Sequence, residues 1–311
     1  MKKLALCLLL APVLALSACS RPAPTRAATA DVQPYVLKNT EVRDIHAQKL
    51  NRDYQVFVSL PDDYADHPDQ TYPVLFVTDA DYAFPLIRSI ARRVGNHGED
   101  LPPFILVGLS YAKGDTPIFS RCRDYTPTPG GDGDTEPGNQ RYVYGEGAAY
   151  RAFVRDEVFP LIARTYRADM AHKIFAGHSF GGLWGADALL SEPDMFDAYI
   201  LSSPSLWFDK RVMFTREAAY AKTHKDLPAK VYMAVGGYET HGPSPRNSGK
   251  YDMVGDVRAM ETVLKSRHYP HLALQSEVIA GEDHLTVAPD IITHGLLWAL
   301  GLKRYKAPQS D

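Results

Sequence analysis

The segment Ala176-Gly177-His178-Ser179-Phe180-Gly181-Gly182 sets a serine between glycines at Gly-x-Ser-x-Gly spacing. A serine hydroxyl is a weak nucleophile until a base takes its proton. A chain that uses Ser179 must therefore carry a base and a group to orient it. His284, in Ala280-Gly281-Glu282-Asp283-His284-Leu285, stands where that base is expected, after the last predicted strand and before the last predicted helix. Glu239, at the end of Val235-Gly236-Gly237-Tyr238-Glu239, is the candidate acid. Ser, Glu, His is an established chain order for an acyl-transfer triad. Asp252 and Asp256 are alternative acids, although Asp256 reads equally well as a helix-capping residue. Asp283 adjoins the histidine and cannot easily reach its ring. His241, His268, His271 and His294 compete for the role; of these, His268 and His271 flank Pro270 at the wrong end of a strand, and His294 falls within a helix.

Such a serine needs a sharp strand-to-helix turn, and its neighbours two positions away must lack side chains that would collide. Lys173 to Ala176 reads as the strand and Gly181 to Leu190 as the helix. The backbone N–H of Phe180, with that of Asp81 in Thr78-Asp79-Ala80-Asp81-Tyr82, is the expected oxyanion hole. Around these lie a hairpin (Leu37 to His46, Tyr54 to Leu60) and buried strands at Val74 to Thr78, Phe104 to Leu109, Ala198 to Leu201, Lys230 to Val235 and Ala273 to Ile279. Helices are expected near Leu86 to Val94, Ala148 to Tyr166, Arg211 to Ala221, Met253 to Ser266 and Pro289 to Leu300. Strands alternating with helices after a hairpin predict an α/β fold with a doubly wound, mostly parallel sheet and helices on both faces. Ser110 to Gly147 is a long Gly-, Pro- and Asp-rich stretch. Its Arg121 to Thr128 part suits a site lining, whereas Gly130 to Gly138 suits a disordered insertion.

The chain has 311 residues, a formal net charge of −3 and 45% hydrophobic residues. That is ample for one large core, and the charge balance argues against a nucleic-acid partner. Lys2, Lys3 and the apolar run Leu4 to Leu16 form a signal segment, followed by Leu16-Ser17-Ala18-Cys19. This resembles a bacterial lipobox, with residues 1–18 removed and Cys19 acylated. The alternatives are an ordinary secretory signal cut after Ala18 or a short membrane anchor, for which the run is too short. Residues 19–34 read as a flexible tether, 35–305 as one domain and 306–311 as a tail. The expected location is the periplasm, with a lipid anchor at the outer membrane. With Cys7 removed and Cys19 lipidated, only Cys122 remains, so no internal disulfide is possible. No metal-ligand motif or cofactor signature is present.

Several ordered motifs together resemble the putative-esterase family of α/β-hydrolases. They are Val74-Leu75-Phe76-Val77-Thr78-Asp79-Ala80-Asp81, Arg121-Cys122-Arg123-Asp124-Tyr125-Thr126-Pro127, Gly177-His178-Ser179-Phe180-Gly181-Gly182, Ser203-Pro204-Ser205-Leu206-Trp207 and Gly281-Glu282-Asp283-His284. The resemblance spans nearly all of Tyr35 to Leu302 and is greatest to the siderophore esterases. It implies an α/β-hydrolase fold, no cofactor, and hydrolysis of trilactone esters of catechol siderophores such as enterobactin. One departure is Asp79-Ala80, where the family's oxyanion loop often reads Asp-Gly. Arg121 and Arg123 could hold an anionic substrate, and Tyr111, Tyr125 and Trp207 could stack on its rings. His178, beside the nucleophile, is a further candidate contact. Equally, these arginines could bridge acids and the aromatics could be core. Rival readings are a general carboxylesterase, a polysaccharide acyl or feruloyl esterase, or a non-catalytic binding lipoprotein.

Overall fold

The computed structural model describes residues 33–96, 101–131 and 141–300. The signal segment, Cys19, all of the tether but its last two residues, the tail and Asp132 to Gly138 of the insertion lie outside the described residues. The chain divides into Met1–Val36 and Leu37–Asp311, and every element below belongs to the second unit.

One eight-stranded sheet organises the domain, in the order β1-β2-β4-β3-β5-β6-β7-β8. β1 (Thr40–Ala47) and β2 (Arg52–Ser59) form the antiparallel hairpin, and β2 runs antiparallel to β4 (Ile105–Leu109). From β4 onward every pairing is parallel, through β3 (Tyr72–Val77), β5 (Ala168–His178), β6 (Ala198–Ser202), β7 (Lys230–Gly236) and β8 (Ala273–Ile279). β4 and β6 are buried at every residue, as strands covered on both faces must be.

Two helices cover one face: α1 (Ala80–Asn96) places Phe84 and Ile87, and α8 (Ala288–Ala299) places Ile291 and Leu296, in a core with Leu75, Ile200 and Tyr232. The remaining helices pack on the other face around Trp184, Phe175 and Phe196. They are α2 (Pro117–Asp124), α3 (Gly147–Phe153), α4 (Phe159–Thr165), α5 (Phe180–Ser191), α6 (Phe208–Thr223) and α7 (Met253–Ser266).

The structure departs from the sequence expectations at three places. β5 begins at Ala168, five residues early, because Ala168 and Asp169 pair with Tyr72 and Pro73 before a bulge shifts the register. Its polar residues break the apolar pattern that marks the rest of the strand. Between α3 and α4 the predicted single helix widens over Val154–Val158, where Phe159 N–H bonds Val154 O. Pro160, which has no N–H to give, follows at once. The long stretch after β4 contains α2, whose first turn is capped by Thr116 Oγ1 accepting from Phe119 N at 3.2 Å.

Candidate active site

Ser179 sits between β5 and α5 with φ 60° and ψ −118°, a conformation costly for any residue with a side chain. The turn holds because it is bonded on both sides. Ser179 N donates to Ser202 O at 2.9 Å, and its carbonyl accepts from Leu183 N and Ser205 N. The flanking glycines are sterically required. A Cβ on Gly177 would lie 2.5 Å from the Gly181 carbonyl, and one on Gly181 would meet Thr78 Oγ1.

Glu239 follows β7 and is only 2% exposed. Its Oε1 accepts from Gly236 N at 2.8 Å and from Ser203 Oγ at 2.6 Å. Its Oε2 lies 2.6 Å from His284 Nδ1. An ionised carboxylate only accepts, so Nδ1 donates to it and the Nε2 lone pair is left open. The loop after β8 that carries His284 is strapped by Arg246, which donates to Asp283 Oδ2 at 2.7 Å and to Gly281 O at 2.8 Å. Of the carboxylates that the sequence leaves open, Glu239 is the one bonded to His284. Asp252 caps α7 through Gly255 N, and Asp256 pairs with Arg211 at 2.9 Å. His271 pairs with Asp226, and His294 with Glu277.

Phe180 is the first residue of α5 and Asp81 the second of α1. Such first-turn N–H groups have no acceptor within their own helix. The contact between Gly181 and Thr78 brings the two turns together. The second turn is pinned at Asp79, itself left-handed at φ 57°. The buried Asp79 carboxylate accepts from Arg121 Nε at 2.9 Å, Tyr111 OH at 2.8 Å and Tyr82 OH at 3.2 Å. Burial pushes its pKa up, against the pull of Arg121 and the tyrosines.

These contacts revise the expected substrate contacts. Arg123 is 5% exposed and bonds Asp124 at 2.7 Å and Asp115 at 2.7 Å, so it faces acids and not a ligand. A guanidinium this deep must be paired. Tyr125 is buried against Tyr150, with its hydroxyl receiving Asp79 N–H, and cannot stack on a ligand. Tyr111 is committed to Asp79 through its hydroxyl. Arg121 is chiefly a strut of the Asp79 turn, although it also lines a cavity. His178 lies behind His284, with ring centroids 4.6 Å apart and its Nδ1 2.9 Å from Ser202 Oγ. Burial, then the charges of His284 and Arg121, hold its pKa well below the usual value, so it stays neutral. Among the expected aromatic contacts, Trp207 is the one placed at the site.

A cavity of about 500 Å³ contains Ser179 and His284 together with Trp207, Tyr251, Arg246 and Leu285. A second, of about 280 Å³, adjoins it and is lined by Arg121, Tyr142, Tyr144, Phe180, Phe208 and Lys250. Both share Trp207 and Tyr251, whose rings stack at 3.6 Å and 9°. Ser203, Arg246, Tyr251 and Leu285 escape a sequence reading. Ser203 and Leu285 gave a signal only through their places in Ser203-Pro204-Ser205-Leu206-Trp207 and beside His284. Among the described residues no group of three or more His, Cys, Asp or Glu is arranged to hold a metal ion. Cys122 is buried and is not part of a disulfide.

Comparison with known proteins places the chain among esterases. The ferri-bacillibactin esterase BesA of Bacillus subtilis (strain 168) is 27% identical over 280 residues, 86% of this chain and 91% of its own. The siderophore enterobactin esterase of Emericella nidulans is 27% identical over 206 residues, 61% of this chain and 66% of its own. Among solved structures, the BES protein from Bacillus cereus superposes with a TM-score of 0.72 at 24% identity, covering 87% of this chain and 99% of that one. At that identity the superposition shows the α/β-hydrolase type of fold and nothing finer. The Putative esterase family model matches residues 47–273. That match covers well over half of the chain, so the chain belongs to the Putative esterase family and is a carboxylic ester hydrolase.

Proposed function

We propose that the protein is a serine esterase that cleaves ester bonds of siderophores through an acyl-enzyme. The observation that carries the mechanism is the 2.6 Å contact of Glu239 with His284 Nδ1, in a protein whose Ser179 and His284 share one cavity. In this reading His284 Nε2 takes the Ser179 proton as Oγ attacks the ester carbonyl carbon. The negative charge that develops on the carbonyl oxygen is held by the N–H groups of Phe180 and Asp81. The tetrahedral intermediate then collapses. The C–O bond to the alcohol breaks, and the leaving oxygen takes the proton from His284. Water, activated by the same imidazole, attacks the acyl carbon and releases Ser179 and the acid.

The substrate class rests on two supports. The relatives are named for ferri-bacillibactin, enterobactin and salmochelin esters. The cavity wall is aromatic, with Lys250 and Arg121 beside it, which suits an anionic aryl ligand. Leu16-Ser17-Ala18-Cys19 supports a lipid anchor at Cys19 and a periplasmic place of work.

The test is to incubate ferric and iron-free enterobactin with the protein and with its Ser179→Ala form, following linear fragments by chromatography. Cleavage lost in the variant supports the reading. Ser179-dependent hydrolysis of nitrophenyl butyrate without cleavage of either enterobactin form would remove the siderophore substrate and leave the esterase. Incorporation of labelled palmitate that disappears in Cys19→Ser tests the anchor.

A further inference from the structure

The hydroxyl of Ser179 has a neighbour of its own kind. Its Oγ lies 3.4 Å from Ser205 Oγ, and among the described residues this is the one side-chain hydrogen bond that it makes. Ser205 lines the same cavity as Ser179 and His284, yet it is only 1% exposed. Neither the general base nor the oxyanion donors account for its presence there.

The backbone fixes Ser205 in this place. Its N–H donates to Ser179 O at 3.2 Å, and its carbonyl accepts from Phe208 N at 3.1 Å. The turn that carries it leaves β6 through Ser203, which is left-handed at φ 40° and donates its N–H to Ala234 O at 2.7 Å. The Ser203 hydroxyl goes to Glu239 Oε1 at 2.6 Å. Pro204 packs on the elbow so closely that a Cβ on Gly182 would lie 3.0 Å from its Cα. The short turn Ser203-Pro204-Ser205 thus reaches the acid with its first hydroxyl and the nucleophile with its second.

Each hydroxyl has one proton to give. Among the described residues Ser205 Oγ has Ser179 Oγ as its one hydrogen-bond partner. Ser179 has a second acceptor to turn to, the open Nε2 of His284 in the same cavity. A buried donor without an acceptor is costly. The arrangement that serves both protons directs the Ser205 O–H at Ser179 Oγ and leaves the Ser179 proton for His284.

We propose that Ser205 is a further catalytic residue, whose hydroxyl donates to Ser179 Oγ and stabilises the negative charge that gathers there in the transition states. This rests on the serine-esterase reading above and adds a residue to it. As Oγ attacks the carbonyl carbon, its proton passes to His284 Nε2, and the oxygen carries partial negative charge until the new C–O bond is complete. When the acyl-enzyme is hydrolysed, the same bond breaks, and Oγ recovers its proton from His284. The Ser205 proton stays on Ser205 throughout. A neutral contact of 3.4 Å contributes little in the resting protein. Donation to a charged oxygen tightens to about 2.5–2.7 Å, so the interaction is strong only while the charge is present. Such an interaction speeds the chemical steps without tightening substrate binding.

The experiment compares the wild-type protein with Ser205→Ala and Ser205→Cys, with rates counted per folded protein by circular dichroism. The readouts are kcat/KM for nitrophenyl butyrate and the rate constant of labelling by a fluorophosphonate, which reports attack by Oγ without deacylation. Ser205→Ala is expected to lower both by about ten- to a hundredfold. A thiol is close to a hydroxyl in shape but a weak donor, so Ser205→Cys is expected to fall nearly as far. If the alanine form does not fold, the cysteine form alone decides. Rates in Ser205→Ala equal to or above wild type overturn the proposal, because Ser205 would then be idle or would hold Ser179 away from His284. Rates in Ser205→Cys close to wild type overturn it as well, since side-chain volume and not the O–H would then be what matters. Hydrolysis and labelling that both persist in Ser179→Ala would instead remove the serine-esterase reading itself, whatever Ser205 does.

Discussion

At the scale of single residues, the site depends on which atom each carboxylate and imidazole presents. Glu239 uses Oε1 for Gly236 N and Ser203 Oγ and keeps Oε2 for His284. In Glu239→Gln the amide oxygen can still serve the first two donors while its NH₂ faces Nδ1. Nδ1 must then accept, and Nε2 carries the proton and loses its role as base. The expected result is a kcat lower by roughly 10³- to 10⁴-fold with an unchanged melting temperature, measured on a nitrophenyl ester and by circular dichroism. His178 makes a different prediction. Its pKa lies well below the ordinary 6.5 in the folded protein. Between those two values the unfolded chain binds a proton that the folded chain refuses, so stability falls as pH drops below about 6.5. The slope from this one group is at most about 1.4 kcal/mol per pH unit. His178→Gln is expected to remove that contribution in urea unfolding at pH 5, 6 and 7. An identical slope in both proteins would contradict the burial argument.

At the scale of elements, the proposed mechanism needs two helix starts to lie close together. The first turn of α5 and the turn from β3 into α1 approach so closely that Gly181 has Thr78 Oγ1 where a Cβ would go. A Cβ on Gly177 would likewise lie 2.5 Å from the carbonyl of Gly181 in the same elbow. Gly181→Ala must therefore push the two turns apart, and Gly177→Ala must distort the elbow itself, each at a cost of about 1–3 kcal/mol. The expected readout is a lower melting temperature together with a fall in kcat larger than the change in KM, because the oxyanion donors shift from their acceptor. Gly249, where a Cβ would meet nothing, is the control position. Equal behaviour of all three alanine variants would show that the close approach is not required.

At the scale of the whole molecule, the excursion after β4 is tied back to the sheet by charge. Arg123 and Asp124 pair in the interior, Tyr54 of β2 donates to Asp124 at 3.0 Å, and Arg52 approaches it at 3.8 Å. Burial acts to raise the Asp124 pKa, and Arg123 chiefly opposes it. Removing Arg123 leaves a buried carboxylate short of its main partner. Arg123→Ala is expected to cost about 3–5 kcal/mol in chemical denaturation, with the KM of surviving protein unchanged. A raised KM at intact stability would instead restore Arg123 as a substrate contact. α2 also carries Arg121 to Asp79, so this tie bears indirectly on the oxyanion turn.

Much was legible in the sequence because it is encoded locally. Apolar runs of strand length, helical spacing and glycines at an elbow report on residues a few positions apart. They suffice for the sheet of alternating strands and helices, for Ser179 in its turn and for the loops that carry Glu239 and His284. Tertiary structure alone selected Glu239 over Asp252 and Asp256, because hydrogen-bond reach is a distance and not a spacing. It also turned Arg123 and Tyr125 inward and set His178 behind His284, since burial depends on every element packed around a side chain. Trp207 and Tyr251 stack across 44 positions of chain, an arrangement that no local pattern encodes.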